Sequence, residues 1–144
     1  MTKAWKINKD PLFRGDVAHG VRSATHGADR SIVRHILYLD GQGRDTPYLS
    51  CTESKETATR FANKSGKVYE TYAKEWLSSG VKHRSRKELF LLLKGGGKGD
   101  AKWHDAFEVA IARKYVEEHM EHLCDFTDQA TQADIDVAVG KIFL

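Results

Sequence analysis

The sequence contains little cysteine and little proline, and it lacks any long apolar run. Two cysteines, Cys51 and Cys124, allow one bridge at most, so they form no disulfide framework, and a reduced pair predicts a protein that works in the cytosol. No run approaches the ~20 apolar residues that cross a bilayer, so we expect no membrane span. Residues 1–13 hold no apolar core of a signal peptide, so export is expected to depend on a longer parent polypeptide.

Positive charge is absent from one part of the chain and concentrated in another. Residues 115–140 contain no Lys or Arg but several acids. Between Lys82 and Lys102, seven basic residues stand against two acidic ones. Two interpretations remain open. The chain has two solvated faces of different charge, or residues 82–102 form the basic surface of a nucleic-acid- or protein-binding module that is not an enzyme.

A single domain covering residues 1–144 is expected, because a chain of 144 residues is too short for two ordinary cores. The pattern of apolar residues predicts an α+β fold. Strands are predicted at 11–14, 48–52 and 67–73, helices at 31–39, 53–66 and 85–95, and a helical turn at 76–80. Residues 107–124 fit either a strand or a helix. The β-branched alternation that follows a glycine-rich loop favours a strand at 107–113.

Three separated segments place polar side chains in apolar, strand-like surroundings, where the cost of burying them must be compensated. Arg14 lies in "LFRG" (12–15), and Ser50 and Thr52 lie in "YLSCTESKETATRFA" (48–62). Glu108 interrupts the apolar alternation of "FEVAI" (107–111). Ser50 and Thr52 share one face of a strand, because residues two apart point the same way. If these strands are neighbours, a guanidinium, two hydroxyls and a carboxylate converge on one cleft.

The order of these three motifs resembles the ADP-ribosyltransferase superfamily, in its Arg–Ser–Glu branch of bacterial toxin and effector domains related to diphtheria and cholera toxins. The resemblance covers residues 11–113, and the acidic segment 114–144 follows it. It implies a single catalytic domain with a compact ADP-ribosyltransferase-like fold. That fold has two packed, mostly antiparallel sheets flanked by short helices.

The resemblance also implies a role for each matching residue, with NAD as co-substrate. Arg14 would hold the NAD phosphates or the nicotinamide ribose, and Ser50 would support that ribose and orient the glutamate. Glu108 would stabilise the positive charge that develops as nicotinamide leaves. The other expected NAD contacts are Gly15, Thr52, Phe61 and Tyr69. The loop at 95–105 would face the acceptor, through Lys98, Lys102, Trp103 and His104.

The expected function is that of a mono-ADP-ribosyltransferase acting on a protein or nucleic-acid acceptor in the cytoplasm. As a toxin or effector domain, delivered within a secreted toxin, it would have a neutralising immunity protein as a partner, and it would require no metal. Two departures bear on the acceptor and the strand. Ala106 stands where the family often has Glu or Gln, which weakens the case for an arginine target, and Cys51 replaces the central residue of a Ser-Thr-Ser triplet. An NAD glycohydrolase, which transfers to water, is the near alternative.

Other motifs give weaker indications. His119, His122 and Cys124 lie close enough in sequence for a zinc site, without a fourth ligand nearby. Cys124 with a histidine base is a possible nucleophile, although its acidic surroundings should raise the pKa of the thiol. The stretch "GGGKGD" (95–100) lacks the spacing and the Lys-Ser/Thr ending of a phosphate-binding loop.

Overall fold

The computed structural model of this chain describes residues 5–7, 9–28, 31–37, 46–62, 65–93 and 106–143. These residues form five strands and six helices. The strands are β1 (Leu12–Val17), β2 (Tyr48–Thr52), β3 (Gly66–Thr71), β4 (Lys82–Arg84) and β5 (Glu121–Asp125). The helices are α1 (Ile32–Leu37), α2 (Lys55–Ala62), α3 (Ala73–Ser78), α4 (Arg86–Leu92), α5 (Ala106–Glu118) and α6 (Gln132–Ile142).

All five strands belong to one antiparallel sheet, in the order β3-β1-β2-β5-β4. The α+β class is therefore confirmed, whereas the expected two packed sheets are replaced by a single sheet in the described part of the chain. The pairing is uneven. Six residue pairs join β1 to β3, and five join β2 to β5, but β1 and β2 share one pair, Phe13 opposite Thr52. We call the unpaired continuation of β1 and β2 beyond this pair the split.

Each face of the sheet is covered by its own core, because alternate strand residues point to opposite faces. The first core combines strand residues with α3 and α6 and contains Leu12, Leu49, Cys51, Cys124, Trp76, Ile135 and Ile142. The second core lies under α1, α4 and α5 and contains Tyr48, Leu123, Ile36, Leu89, Val109 and Val116. Each large side chain buried in this way contributes about 1.5–3 kcal/mol. A sheet covered on both sides gives strands with little apolar–polar alternation.

Side-chain caps fix where three helices begin. The hydroxyl of Ser54 accepts a hydrogen bond from the backbone N–H of Thr57 at 3.2 Å, at the start of α2. Ser85 does the same for Glu88 at the start of α4, and Thr131 for Asp134 at the start of α6. A cap of this kind contributes about 1 kcal/mol, since it satisfies a backbone donor that the helix leaves unpaired.

The strands predicted near 48–52 and 67–73 and the helices within 53–66 and 85–95 are confirmed, and the turn at 76–80 overlaps α3. The strand predicted at 107–113 is wrong, because these residues lie in helix α5. Its buried side chains, Val109, Ala112 and Val116, follow the helical spacing of three to four residues. The short β-branched alternation at its start was a local coincidence that the packing of α5 on the second core overrides.

Helix α2 lies so close to β1 that residue 15 has to be glycine. A Cβ on Gly15 would collide with the carbonyl oxygen of Ala58 and would lie 2.5 Å from the backbone nitrogen of Ala62. These are backbone atoms of a packed helix, so they cannot rotate away as a side chain would.

We expect Gly15→Ala to lower the free energy of unfolding by about 1–3 kcal/mol, the usual cost of overpacking. Gly140→Ala in α6 is the matched control, because a Cβ there meets no atom within 4 Å and alanine favours a helix by about 0.5–1 kcal/mol. Urea unfolding of both variants checks this. Equal stability of Gly15→Ala and the parent protein would contradict the close approach of α2 to β1.

Candidate active site

Arg14 occupies the split between β1 and β2. Its Nη1 donates a hydrogen bond of 2.8 Å to the backbone carbonyl oxygen of Ser50 on β2. A fully paired neighbouring strand would present a backbone N–H at such a position. The guanidinium therefore links β1 and β2 where their ladder has ended, and the side chain of Arg14 is 14% exposed.

A buried carboxylate holds the guanidinium in this position. Arg14 Nε donates to Asp16 Oδ2 at 2.9 Å, and the side chain of Asp16 is fully buried. Asp16 also accepts hydrogen bonds from the backbone N–H groups of Val17 and Arg22 and from Arg22 Nε. Because a charged carboxylate is stable in the interior when its oxygens are satisfied in this way, Asp16 is a fixed counter-charge for Arg14.

Ser50 is the residue on which three elements meet. Its hydroxyl oxygen, Oγ, donates a hydrogen bond of 3.2 Å to Glu121 Oε2 on β5. His35 Nε2 on α1 lies 2.8 Å from Ser50 Oγ. Glu121 lies opposite Thr52 in the β2–β5 register, so Ser50, Thr52 and Glu121 share one face of the sheet. Arg14 starts on the opposite face, with Leu12 and Tyr69 of the first core, and reaches this site only through the backbone carbonyl of Ser50.

Glu121 is in an unusual environment for a carboxyl group. The residue is 1% exposed, and its Oε1 has no hydrogen-bond partner within the described residues. Burial raises the pKa of Glu121 to about 8, although the hydrogen bond from Ser50 and the charge of Arg14 act in the opposite direction. An unsatisfied buried oxygen is costly. The Oε1 atom is therefore the best candidate in this site for contacting a ligand hydroxyl.

The structure brings together two of the three predicted catalytic residues. Arg14 contacts the backbone carbonyl of Ser50 and not its hydroxyl, and Glu108 is not a strand residue. It lies in the first turn of α5 with an exposed side chain, because residues 106–118 form a helix. The expectation that Glu108 shares a strand cleft with Ser50 is therefore wrong, and the buried carboxyl beside Ser50 belongs to Glu121.

The predicted NAD contacts have varied surroundings. Thr52 donates to the carbonyl oxygen of His119 and accepts from the N–H of Ser54, so it braces the junction of β2 and α2. Phe61 is half-buried, with its ring edge-on to the His119 ring at 5.1 Å. Gly15 packs against α2.

Tyr69 lies opposite Arg14 in the β1–β3 register. Its hydroxyl donates to the carbonyl oxygen of Val17 at 2.7 Å, and the Lys67 ammonium lies 5.0 Å from the ring centroid. The predicted acceptor-facing residues Lys98, Lys102, Trp103 and His104 lie outside the described residues.

Sequence reasoning missed Glu121, His35 and Asp16. All five residues of β5 are buried, so this strand shows no alternation that would mark Glu121 as the carboxyl at its start. His35 lies in α1, which follows a stretch of mixed polar sequence. The signal that could have indicated Asp16 is its position two residues after Arg14, which places both side chains on one face of β1.

The contact of Ser50 with His35 also raises the chemistry of an activated serine nucleophile. The hydroxyl proton of Ser50 is directed at Glu121, however, and the other ring nitrogen of His35 lies 2.7 Å from the Thr46 hydroxyl. A Ser-His-Asp triad instead orients its histidine with a carboxylate on that nitrogen. The arrangement favours a polar pocket for a sugar hydroxyl over a nucleophilic serine.

His119 and His122 have different partners and do not face a common centre: the His119 ring contacts Phe61 and Tyr115. His122 Nε2 lies 2.7 Å from Glu53 Oε2, and His122 Nδ1 lies 2.8 Å from His83 Nε2. The Cys124 thiol is buried in the first core, 4.0 Å from Cys51 Sγ. Burial raises the pKa of the Cys124 thiol far above its ordinary value. Within the described ranges, no group of three or more His, Cys, Asp and Glu side chains is arranged to hold a metal ion.

The raised pKa of Glu121 predicts a specific dependence of stability on pH. Between its ordinary pKa of 4.5 and about 8, the folded protein keeps the Glu121 proton while the unfolded chain has lost it. Stability from this group is therefore complete below pH 4.5 and is lost as the pH rises to about 8.

We expect Glu121→Gln, which stays neutral, to gain stability relative to the parent protein between pH 5 and pH 9. The gain is at most about 4 kcal/mol, because each pKa unit corresponds to about 1.4 kcal/mol. Urea unfolding of both proteins across this range measures it, and groups such as His83 titrate equally in both. If the free energies of unfolding of the two proteins change with pH in parallel, the carboxyl of Glu121 is ionised over the whole range from pH 5 to pH 9.

No protein-family model, no curated protein and no solved structure matches this chain. In the part of the chain that the structure describes, none of the helices is both long and apolar enough to cross a membrane.

Proposed function

We propose that this chain is an NAD-cleaving mono-ADP-ribosyltransferase whose Arg–Ser–Glu set is Arg14, Ser50 and Glu121. The observation that carries the proposal is a chain of contacts at the split: the guanidinium of Arg14 contacts the backbone carbonyl of Ser50, and the hydroxyl of Ser50 contacts Glu121. Their order along the chain is the order of the family's motifs. The third motif, at residues 107–111, lies in helix α5, so the proposal gives the role expected of Glu108 to Glu121 on strand β5.

The residues at the split fit NAD as a co-substrate. Its phosphates require a fixed cation, and Arg14 is held by the buried Asp16 in a way that leaves a planar fork of donors pre-oriented. The hydroxyls of its ribose require an acceptor, and Glu121 Oε1 is a buried acceptor without a partner in the described residues. Ser50 fixes the orientation of that carboxyl through Oε2.

Cleavage of the glycosidic bond of NAD places positive charge on the ribose as nicotinamide departs. Glu121 stabilises that charge when it is ionised, and a buried carboxylate does so strongly because little water screens it. Positive charge beside the carboxyl also favours its ionised form. Glu121 therefore binds the transition state more tightly than the ground state, which is the condition for catalysis.

In this proposal the acceptor of ADP-ribose is a macromolecule. In the alternative, an NAD glycohydrolase, the acceptor is water. With Glu121 as the catalytic glutamate, the residue two positions before it is His119 instead of Ala106. Neither is the Glu or Gln of the arginine-modifying members, so we do not propose an arginine target. As such an enzyme the chain would act in the cytoplasm as a toxin or effector domain, and an immunity protein would neutralise it.

Three of the four described bases in residues 82–93 pair with acids, which weakens the case for a separate basic binding module. Arg84 pairs with Glu88 and with Asp125, whose side chain is 3% exposed. Arg86 and Lys82 pair with Glu53 and Asp128. These acids neutralise much of the local positive charge, and a surface that binds nucleic acid by its phosphates needs unneutralised bases.

Glu121→Gln tests the proposal, with Glu108→Gln as its matched control. We expect Glu121→Gln to lower NAD cleavage by about 10²–10³-fold, the usual loss when one group that stabilises the transition-state charge is removed. Glu108→Gln, on the exposed surface of α5, should stay within about twofold of the parent protein. The measurement is nicotinamide release from NAD, together with transfer of labelled ADP-ribose to lysate.

Release of nicotinamide without a labelled acceptor would identify a glycohydrolase. Equal rates in the parent protein and Glu121→Gln would remove Glu121 from the catalytic set. The absence of NAD cleavage under every condition, with salt-sensitive RNA or DNA binding in its place, would overturn the enzyme proposal in favour of a binding module.

A further inference from the structure

A chain of hydrogen bonds connects Glu121 to an imidazole that the proposed reaction has not used. Glu121 Oε2 lies 3.2 Å from Ser50 Oγ, and Ser50 Oγ lies 2.8 Å from His35 Nε2. The other ring nitrogen, His35 Nδ1, lies 2.7 Å from Thr46 Oγ1. Thr46 Oγ1 accepts in addition from the backbone N–H of Tyr48 at 3.2 Å. The chain is therefore continuous from α1 through β2 to β5.

This chain can carry its protons in two directions, because a hydroxyl both donates and accepts. In the first direction His35 Nε2–H donates to Ser50, and Ser50 donates to an ionised Glu121. In the second direction a protonated Glu121 donates to Ser50, and Ser50 donates to an unprotonated His35 Nε2. The same heavy-atom distances serve both, so the geometry permits a proton to move between Glu121 and His35 without rearrangement of the side chains.

We propose that His35 is a positioning residue that takes up the proton of Glu121 through the Ser50 hydroxyl, so that a fraction of Glu121 carries its negative charge at neutral pH. The inference rests on the proposed function, and it adds the means by which the buried carboxyl becomes ionised. The proton on Glu121 Oε2 moves to Ser50 Oγ, and the hydroxyl proton of Ser50 moves to His35 Nε2. Ser50 is unchanged, and the products are a carboxylate and an imidazolium.

The surroundings of the pair favour this separation of charge. The Arg14 charge lowers the pKa of Glu121 from the β1 side. The imidazolium would donate to two oxygens, Ser50 Oγ and Thr46 Oγ1, and no acid is required to orient it. Among the described titratable groups, Tyr48 on β2 faces His35, with 5.5 Å between the ring centroids. Helix α5, which packs on α1, carries Tyr115, and His119 follows its end.

A local proton acceptor matters because burial alone would keep the carboxyl neutral. With the pKa of Glu121 at about 8, about 1% of the group would be ionised at pH 6. Imidazole is the side chain whose proton affinity suits this range of pH. In this proposal Glu121 and His35 share one proton. In a fraction of the molecules the proton is on His35, and Glu121 is then the carboxylate that the reaction needs.

The variant His35→Gln removes the group that takes up the proton but can keep the hydrogen bond to Ser50. The amide nitrogen of glutamine can reach the place of Nε2 and donate to Ser50, but it cannot take up a proton. From pH 9 to pH 6, we expect NAD cleavage to fall about 100-fold in this variant and less than about tenfold in the parent protein. At pH 9 the two should agree within a few-fold. His19→Gln, at an exposed histidine after β1, is the matched control and should follow the parent profile.

A second measurement does not depend on turnover. The infrared band of a protonated carboxylic acid, assigned to Glu121 by its loss in Glu121→Gln, should be weaker in the parent protein at pH 6 than in His35→Gln. If His35→Gln does not fold, Thr46→Val is measured instead. Loss of the hydroxyl at Nδ1 should strengthen the same band and steepen the pH profile.

The two proposals fail in different ways. Parallel pH profiles and equal carboxylic acid bands would overturn the role of His35 while leaving NAD cleavage by Glu121 intact. A His35-dependent band in a protein that never cleaves NAD would overturn the proposed function and leave the shared proton in place.

Discussion

The guanidinium of Arg14 is the interaction on which the arrangement of the site depends. It donates a hydrogen bond to the backbone of β2 where the pairing of β1 with β2 ends, and its Nε donates to the buried carboxylate of Asp16. Removing one partner of such a buried ion pair is strongly destabilising, because the other charge remains uncompensated. The same contact places a permanent positive charge near Glu121. One side chain therefore joins the two halves of the sheet and sets the electrostatics of the split.

The proposed chemistry requires Glu121 to be buried and ionised at once, and these demands conflict. Burial makes a carboxylate effective against developing positive charge, but it also favours the neutral acid. Arg14, Ser50 and His35 each reduce this conflict by a different means: a fixed charge, a donated hydrogen bond and a place for the proton. Perturbed titration at a site that also contains an unsatisfied polar atom is the pattern expected where a fold has been shaped by function.

The sequence allowed two of the three residues of the proposed set to be predicted, for a physical reason. Arg14 and Ser50 are polar residues in short strands bounded by turn signals, so their burial had to be compensated by each other or by a ligand. Glu121 lies in a strand that is buried on both faces, and neither alternation nor a turn signal distinguishes it from the end of α5. Glu108 was chosen in its place because residues 107–111 alternate like a strand, and the long-range packing of α5 decided otherwise.

The contact between Gly15 and α2 has a consequence for how a ligand would enter. Helix α2 continues directly from β2, yet it is packed on β1 at Gly15. Both walls of the split are therefore attached to one rigid body, and the Phe13–Thr52 pair closes its end. The backbone of the split is therefore held in place, but Glu121 is 1% exposed, so a ligand that reached its Oε1 would have to move side chains and not strands.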